Sequence, residues 1–455
     1  MTPIKITKGL DIPLAGKPEA MVRDFAYTGP VAVYQEVEGL KAKVEVKEGD
    51  AVQRGAPLFF DKKMPDLHFC SPITGRVKAI EYGARRALYR ILIEPTDETT
   101  AVNFKSHSVQ ELLGLDREPI LSALLQSGLL SLIKQRPFSR IANPDVTPKA
   151  IFVNGMNTAP FGADLSLAVQ GAETAFQAGL NALTRLTDGA VHVCLAPPSP
   201  ATPKALTDAE QVKIHYFEGP HPSGNTSVHI HHIDPMLPHD QVWAVKGVDL
   251  LRIGHLFLTG EYPHTKCMAL GGPGVKEEAR AHYRVPIGTP LSALLDDRVA
   301  EGEQRLINGD ILSGQQVMAD EHVRSAGTAL NVVPEGGEQH FMGWLAPGIN
   351  KFSTFRTYLS GWFGHKRKWN LNTSLNGSYR PMVLTGLYDR YVPLNLMVDF
   401  LLRAVLARDT DEAIQLGILE TDPEDFALCS FVCPSKVDVC GIIKQGLREI
   451  EEEGI

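Results

Sequence analysis

Two consecutive sets of short, turn-punctuated strand signals within the first hundred residues constrain the fold of this 455-residue chain more than any other feature. In the first set Val44 and Val46 alternate with charged residues, Gly49-Asp50 makes a turn, Val52 follows, Gly55 turns again, and Leu58-Phe59-Phe60 closes the unit. The second set leads from Ser71-Pro72 through Gly75, Val77 and Ile80 to Tyr89 through Ile93. Period-two alternation over so few residues between glycine turns specifies strands. Beyond residue 145 the pattern changes. Residues 149–155 read as a short buried strand ending in a turn, 172–186 as a helix with Phe176, Leu180 and Leu183 on one face, and 191–195 as a second strand. Strand, helix and strand in that order imply a doubly wound α/β unit.

A chain of 455 residues has room for about three domains, each able to bury a core. A formal charge of −8 disfavours a nucleic-acid partner, whose phosphates call for a basic face. The six cysteines, Cys70, Cys194, Cys267, Cys429, Cys433 and Cys440, are too sparse for a disulfide scaffold and suggest a reducing compartment. Lys5, Lys8 and Asp11 interrupt any apolar leader. The uncharged run at 119–133 contains Ser122, Gln126, Ser127, Gly128 and Ser131, and is too short and polar to span a bilayer. If the protein works at a membrane, it is expected to do so from the water side.

Near the C-terminus Cys429, Cys433 and Pro434 form half of an iron–sulfur signature. Ferredoxin-type clusters take four thiolates from a run with gaps of two, two and three residues before the final Cys-Pro. Counting backward puts the missing ligands at Phe426 and Pro423, neither of which binds iron. Cys440 is the only other thiol nearby, and three irregularly spaced ligands make a poor cluster site.

The two strand sets resemble the halves of the barrel-sandwich hybrid found in biotinyl and lipoyl carrier domains. Carriers attach their cofactor to a lysine on the hairpin between the halves, where Lys62 and Lys63 lie, but Pro65-Asp66 is expected to lengthen this hairpin. Residues 127–139 resemble the glycine-rich flavin loop of the flavin-binding component of respiratory complex I, in which glycines let backbone N–H groups meet a phosphate. Here Leu130, Ser131, Leu132, Ile133 and Lys134 replace them. The Asn154-Gly155 turn continues as Met156-Asn157-Thr158-Ala159-Pro160, without the acidic side chains of that component or of the C subunit of the related ferredoxin-linked ion pump.

In the segment 219–235, His229 and His231 are expected on one face of a strand, with His232 opposite and Asp234 just beyond. His229, His231 and Asp234 are weak metal candidates; no Cys or Glu completes the set, so structural or interface histidines are the favoured reading. Residues 266–295, with Pro290 starting a helix, and 305–314 resemble a β-grasp soluble-ligand-binding module. Trp362, Phe363 and Trp369 flank His365-Lys366-Arg367-Lys368, a combination suited to a lipid headgroup layer, an acidic partner or a solvated loop. A helix at 440–453 ends the chain.

Residues 4–13, Arg136-Pro137-Phe138-Ser139, 183–189, 356–360, Asn376-Gly377 and the Cys-Pro tail together closely resemble the A subunits of bacterial sodium-translocating NADH:quinone oxidoreductases (Na+-NQR). The resemblance implies a multidomain α/β chain: a barrel-sandwich hybrid at 1–100, a helical connector at 101–145, a Rossmann-like α/β domain at 146–262, a β-grasp module at 263–335 and a mixed or helical region at 336–455. It also implies a peripheral subunit on the cytoplasmic face of the bacterial inner membrane, within a translocase that oxidises NADH, reduces ubiquinone to ubiquinol and exports sodium. NADH, flavins and iron centres would belong to partner subunits, with membrane subunits among them. This chain would serve the quinone-reducing end with no flavin, iron–sulfur cluster or metal of its own, and with ubiquinone as a possible ligand. No catalytic residue is identified. By loop position, His221, Gly224, His231, Trp362, Phe363 and Trp369 are the candidates for quinone or partner binding. A purely structural scaffold and a lipoyl-like carrier are the alternatives.

Overall fold

In the computed structural model, which describes residues 2–337, 342–343, 345–354, 358–363, 367–383 and 385–454, with the backbone alone at Phe363, the two strand sets close on each other. Val31–Tyr34, Leu88–Pro95, Gly75–Tyr82 and Ala51–Val52 form a four-stranded antiparallel sheet; Ala42–Val44, Pro57–Asp61 and Met64–Cys70 form a three-stranded one. Val31, Leu58, Phe59, Val77, Ile91 and Ile93 are buried between them, with Phe59 stacked on Phe69 at 4.7 Å. Lys62 and Lys63 occupy a two-residue turn, so the hairpin is tight and not lengthened as expected. Pro65 sits exposed inside Met64–Cys70, which is an edge strand and can spare the proline's missing N–H.

Four parallel strands, Ala150–Asn154, Val191–Leu195, Lys213–Glu218 and Val242–Lys246, lie in the spatial order third, second, first, fourth. Both faces are covered, which is why the strands read as continuous apolar runs: Ile151, Phe152, Val153, Val193, Cys194 and Trp243 are all buried. On one face the helices Glu173–Thr184 and Gly247–Thr259 approach so closely that a Cβ at Gly254 would stand 1.7 Å from the Ala175 carbonyl oxygen. On the other face Phe152, Phe217 and Val228 share one core with Leu402, Phe426 and Ile443 from the C-terminal helices Val398–Ala407 and Val439–Glu453 and the turn Pro423–Phe426.

Val109–Leu113 and Arg117–Gln126 are helical as expected, but the second helix stops before Gly128, whose φ of 74° turns the chain into a 3-10 segment, Leu129–Leu132. Lys134–Arg136 and Arg140–Ile141, read from the sequence as part of a connector, add two antiparallel strands beside Val242–Lys246. At the opposite edge Ile4–Lys5 pairs in parallel with Lys213–Glu218.

A six-stranded sheet carries the β-grasp module in the order Gln315–Val317, Gln304–Asn308, Ala329–Pro334, Thr265–Gly271, Ala281–Pro286, Val22–Asp24. Its last strand again comes from the N-terminal segment. Among the described residues no helix is long and apolar enough to cross a membrane.

Candidate functional site

Asn154 and Lys246 end the first and fourth parallel strands, on either side of the point where strand order reverses. Ligands of open α/β sheets bind outside the carboxyl ends of strands at such points. Here that place is a crevice of about 350 Å3 whose far wall is β-grasp backbone and side chain from Asn308, Asp310, Gln315 and Thr328, with Glu424 reaching in from the C-terminal region. Three parts of the chain therefore build one site.

Asn154 organises the floor. Its Nδ2 donates to the Gly224 carbonyl at 2.8 Å and to Thr226 Oγ1 at 3.1 Å, while its Oδ1 accepts from the Met156 N–H at 3.1 Å. Thr158 Oγ1 accepts the Gly224 N–H at 2.9 Å and shares a hydrogen bond with His221 Nδ1 at 3.1 Å. A Cβ on Gly224 would lie 2.7 Å from Thr158 Oγ1, so this close approach needs glycine. His221 is buried; burial holds its imidazole below the ordinary value, against the opposing pull of Asp310 and Asp11.

Three charged residues line the crevice: Asp310, whose carboxylate accepts from the Leu312 and Ser313 N–H groups, Lys246 and Glu424. Lys246 is exposed and forms no ion pair with a carboxylate among the described residues. Glu424 is pushed up to about 7, first by burial, then by the neighbouring carboxylates Asp422 and Asp425, with Lys246 and Arg136 pulling the other way. Beneath it Asp425 is raised in turn by burial, although it accepts from Asn225 Nδ2 at 2.9 Å and from the Asp422 N–H at 2.8 Å. Arg136 binds Asp422 at 2.9 Å and supplies the buried countercharge. The result is a polar crevice holding a cation and a carboxyl that titrates near neutrality.

Three family profiles match in series along the chain: the NqrA N-terminal barrel-sandwich hybrid domain over residues 4–96, the NqrA second alpha/beta domain over 115–262 and the NQRA C-terminal domain over 267–319. The A subunit of the Na(+)-translocating NADH-quinone reductase of Pasteurella multocida is 39% identical over 455 residues, covering 99% of this chain and 100% of the relative. That of Klebsiella pneumoniae is 40% identical over 454 residues, with 99% and 100% covered. The chain belongs to the A subunits of Na(+)-translocating NADH-quinone reductase. A solved NAD+-reducing [NiFe]-hydrogenase is similar at a TM-score of 0.35 and 15% identity over 53% of each chain, too distant to inform the chemistry of this polypeptide.

Of the residues singled out from the sequence, the fold puts Gly224 in the crevice lining and His221 behind it, linked through Thr158, and leaves the others elsewhere. Residues 226–233 form the helix Thr226–Ile233, not a strand. On a helix, positions two apart point about 200° away from each other. His229 and His231 therefore do not share a face. His229 is fully buried against Phe217 at 4.4 Å, its Nε2 bonded to the Ser223 carbonyl at 3.0 Å, and burial drives it down to about 3. His231 pairs with Glu420 at 2.9 Å, and Asp234 pairs with Lys149 at 2.8 Å. Among the described residues no group of three or more His, Cys, Asp or Glu is assembled to hold a metal. The histidines pin this helix to its surroundings.

The aromatic cluster also separates. Trp369 is only 6% exposed; its N–H donates to the Pro13 carbonyl at 2.7 Å, its carbonyl accepts from Ala15, and Arg367 covers its ring at 4.6 Å. It is a packing residue for the N-terminal segment. Trp362, 55% exposed, lies in the single turn Ser360–Phe363. The Phe363 side chain, His365 and Lys366 lie outside the described residues.

Neither of the ancestral redox sites suggested by resemblance fits its prosthetic group. Phe426 is fully buried where a ligand would stand, Pro423 starts a 3-10 turn, and Tyr388 sets its hydroxyl 3.0 Å from Cys433 Sγ. Burial pushes the thiols of Cys429 and Cys440 upward, the latter to about 11, whereas iron takes thiolates. At the flavin-loop position Leu129, Leu130, Leu132 and Ile133 are buried in the α/β core where glycines would expose backbone N–H groups, and only a cavity of about 70 Å3 remains beside Gly128, Ser131 and Lys134. Sequence reasoning misses Lys246 and Glu424. The signal for Lys246 is its place after an apolar strand; Glu424 lies inside the stretch that the iron ligands would occupy.

Proposed function

We propose that the chain serves the quinone-reducing end of the sodium-pumping complex, as a peripheral component on the cytoplasmic face, without a flavin or iron–sulfur cluster of its own, and that the switch-point crevice receives the quinone ring. The observation that carries this reading is the placement of Lys246 and Glu424 in the lining of one crevice, the carboxyl held at about 7. A quinone offers two carbonyl acceptors; an ammonium and a protonated carboxyl are donors suited to them. Two electrons from partner subunits and two protons convert the carbonyls to hydroxyls, and an acid titrating near neutrality is matched to passing one of those protons. Met156, Leu165 and Val248 provide apolar wall.

The test is made on the intact complex. Glu424→Gln and Lys246→Gln are each expected to lower ubiquinone reduction by about 10- to 100-fold, the range for loss of a proton donor or a positioned charge. NADH oxidation by an artificial acceptor that bypasses quinone should persist. Normal quinone reduction and inhibitor sensitivity in both variants would reduce the chain to a scaffold. The exposed two-residue turn at Lys62-Lys63 favours a second reading, carriage of a covalently attached group; an intact mass equal to that of the unmodified polypeptide would remove it.

A further inference from the structure

We propose that the surface formed by the described residues of 342–383 is the seat of another component of the same complex, one presenting acidic groups around an apolar centre. The proposal rests on membership of the complex and names where that contact is made.

Charge marks the segment first. Asp and Glu make up 53 of the 455 residues, yet none occurs between Gln339 and Tyr388, where there are six Lys and Arg. In a chain of net charge −8 this stretch carries a formal +6, leaving −14 on the remainder. Among the described residues Lys351, Arg367, Lys368 and Arg380 form no ion pair with a carboxylate, although elsewhere surface cations do so readily, as in Lys276–Asp297 and Lys444–Glu38.

Apolar exposure marks it again. Of the sixteen exposed large hydrophobic side chains among the described residues, eight fall within 342–383, including Ile349 at 59%, Tyr379 at 79% and Val383 at 61%. Scattered single cases need no explanation; half of them in a tenth of the chain does. The segment is not a dangling loop. It is fastened by Trp369 to Pro13, by Thr373 Oγ1 to Glu335 at 2.6 Å, by the Arg380 N–H to Ser435 at 3.0 Å, and by Phe352 against Phe431 at 6.0 Å. It therefore displays its side chains over the C-terminal helices and the degenerate Cys-Pro motif.

A lipid surface is the competing occupant, and the backbone argues against it. The one helix the described part of the segment contains is the single turn Ser360–Phe363. Irregular backbone entering hydrocarbon would leave N–H and C=O groups without partners, and an interfacial anchor needs a continuous helical apolar face. Tryptophan, tyrosine and arginine on fixed loops are instead the composition of protein interface centres.

The experiment uses the detergent-solubilised complex and follows how well it retains this chain while sodium chloride is raised. One variant combines Lys351→Glu, Arg367→Glu, Lys368→Glu and Arg380→Glu; a second combines Trp362→Ala and Tyr379→Ala. Each is expected to weaken retention by about tenfold or more, the scale of lost interface anchors and charge pairs. A control of equal charge change elsewhere, Arg85→Glu, Arg86→Glu, Lys204→Glu and Lys213→Glu, should be retained like the parent. Thermal melts of each isolated chain separate misfolding from lost docking. Unaltered retention of both variants overturns the proposal while complex membership stands; so does equal loss in the control. Loss of binding to anionic phospholipid vesicles with retention unchanged assigns the surface to lipid and also overturns it. A parent chain that never co-purifies overturns membership and proposal together.

Discussion

Glu424 carries the most pH-sensitive chemistry at the level of single side chains. Its carboxyl titrates at about 7 in the folded chain against 4.5 unperturbed. Below the lower value both states are protonated and folding is not penalised. As pH rises from there through 7 the unfolded chain ionises first, so stability falls and the loss is complete above 7. Glu424→Gln should therefore melt higher than the parent at pH 8, by about 1–2 kcal/mol after solvent screening, and match it only below the unperturbed value, near pH 4. Thermal melts across that range check this. The same substitution is expected to lower quinone reduction, so the residue trades stability for function. Asn225 is the complementary case: Asn225→Ala strips the buried Asp425 carboxyl of its amide donor and should cost about 1–3 kcal/mol in urea unfolding. Little of this is legible in the sequence. His221 and Gly224 stand out by loop position alone, whereas Lys246 becomes meaningful only when strand order places it opposite Asn154.

For helices and strands, legibility follows burial. Val191–Leu195 and Ala150–Asn154 announce themselves because strands covered on both faces read as short unbroken apolar runs. Glu173–Thr184 shows a polar and an apolar side and is readable at nearly its true length. Thr226–Ile233 misleads because Thr226, Ser227, Val228, His229 and Ile230 are all buried; with little polar face the 3.6 period vanishes and the alternation of His with Val and Ile imitates a strand. The strands at 134–136 and 140–141 are too short to hold any period. The helix pair Glu173–Thr184 and Gly247–Thr259 gives the sharpest expectation here. Gly254→Ala gains about 1 kcal/mol of helix propensity. It also drives a methyl to 1.7 Å from a backbone oxygen. Overpacking of this kind costs about 3 kcal/mol, so the net effect is destabilising. The urea midpoint should drop with an unchanged slope.

At the scale of the whole chain, the barrel-sandwich, α/β and β-grasp units are each visible as sequence patterns, but their mutual arrangement is not, since it depends on pairings between distant residues. The clearest instance is the N-terminal segment. Its first strand completes a sheet with residues 213–218, and its second borders residues 281–286, so the earliest part of the polypeptide stitches together two units that come later. During synthesis these partners emerge only after some two hundred further residues, a delay of about 10–40 s at ordinary elongation rates. The opening residues must therefore wait, unpaired, outside the ribosome, and nascent chains halted before residue 213 should remain open to protease at positions 2–24, while chains released beyond residue 390, which also supply Trp369 and Arg390 to residues 9–15, close that window. Maturation of this polypeptide is thus retroactive: its last-made sheets decide when its first-made strands find shelter.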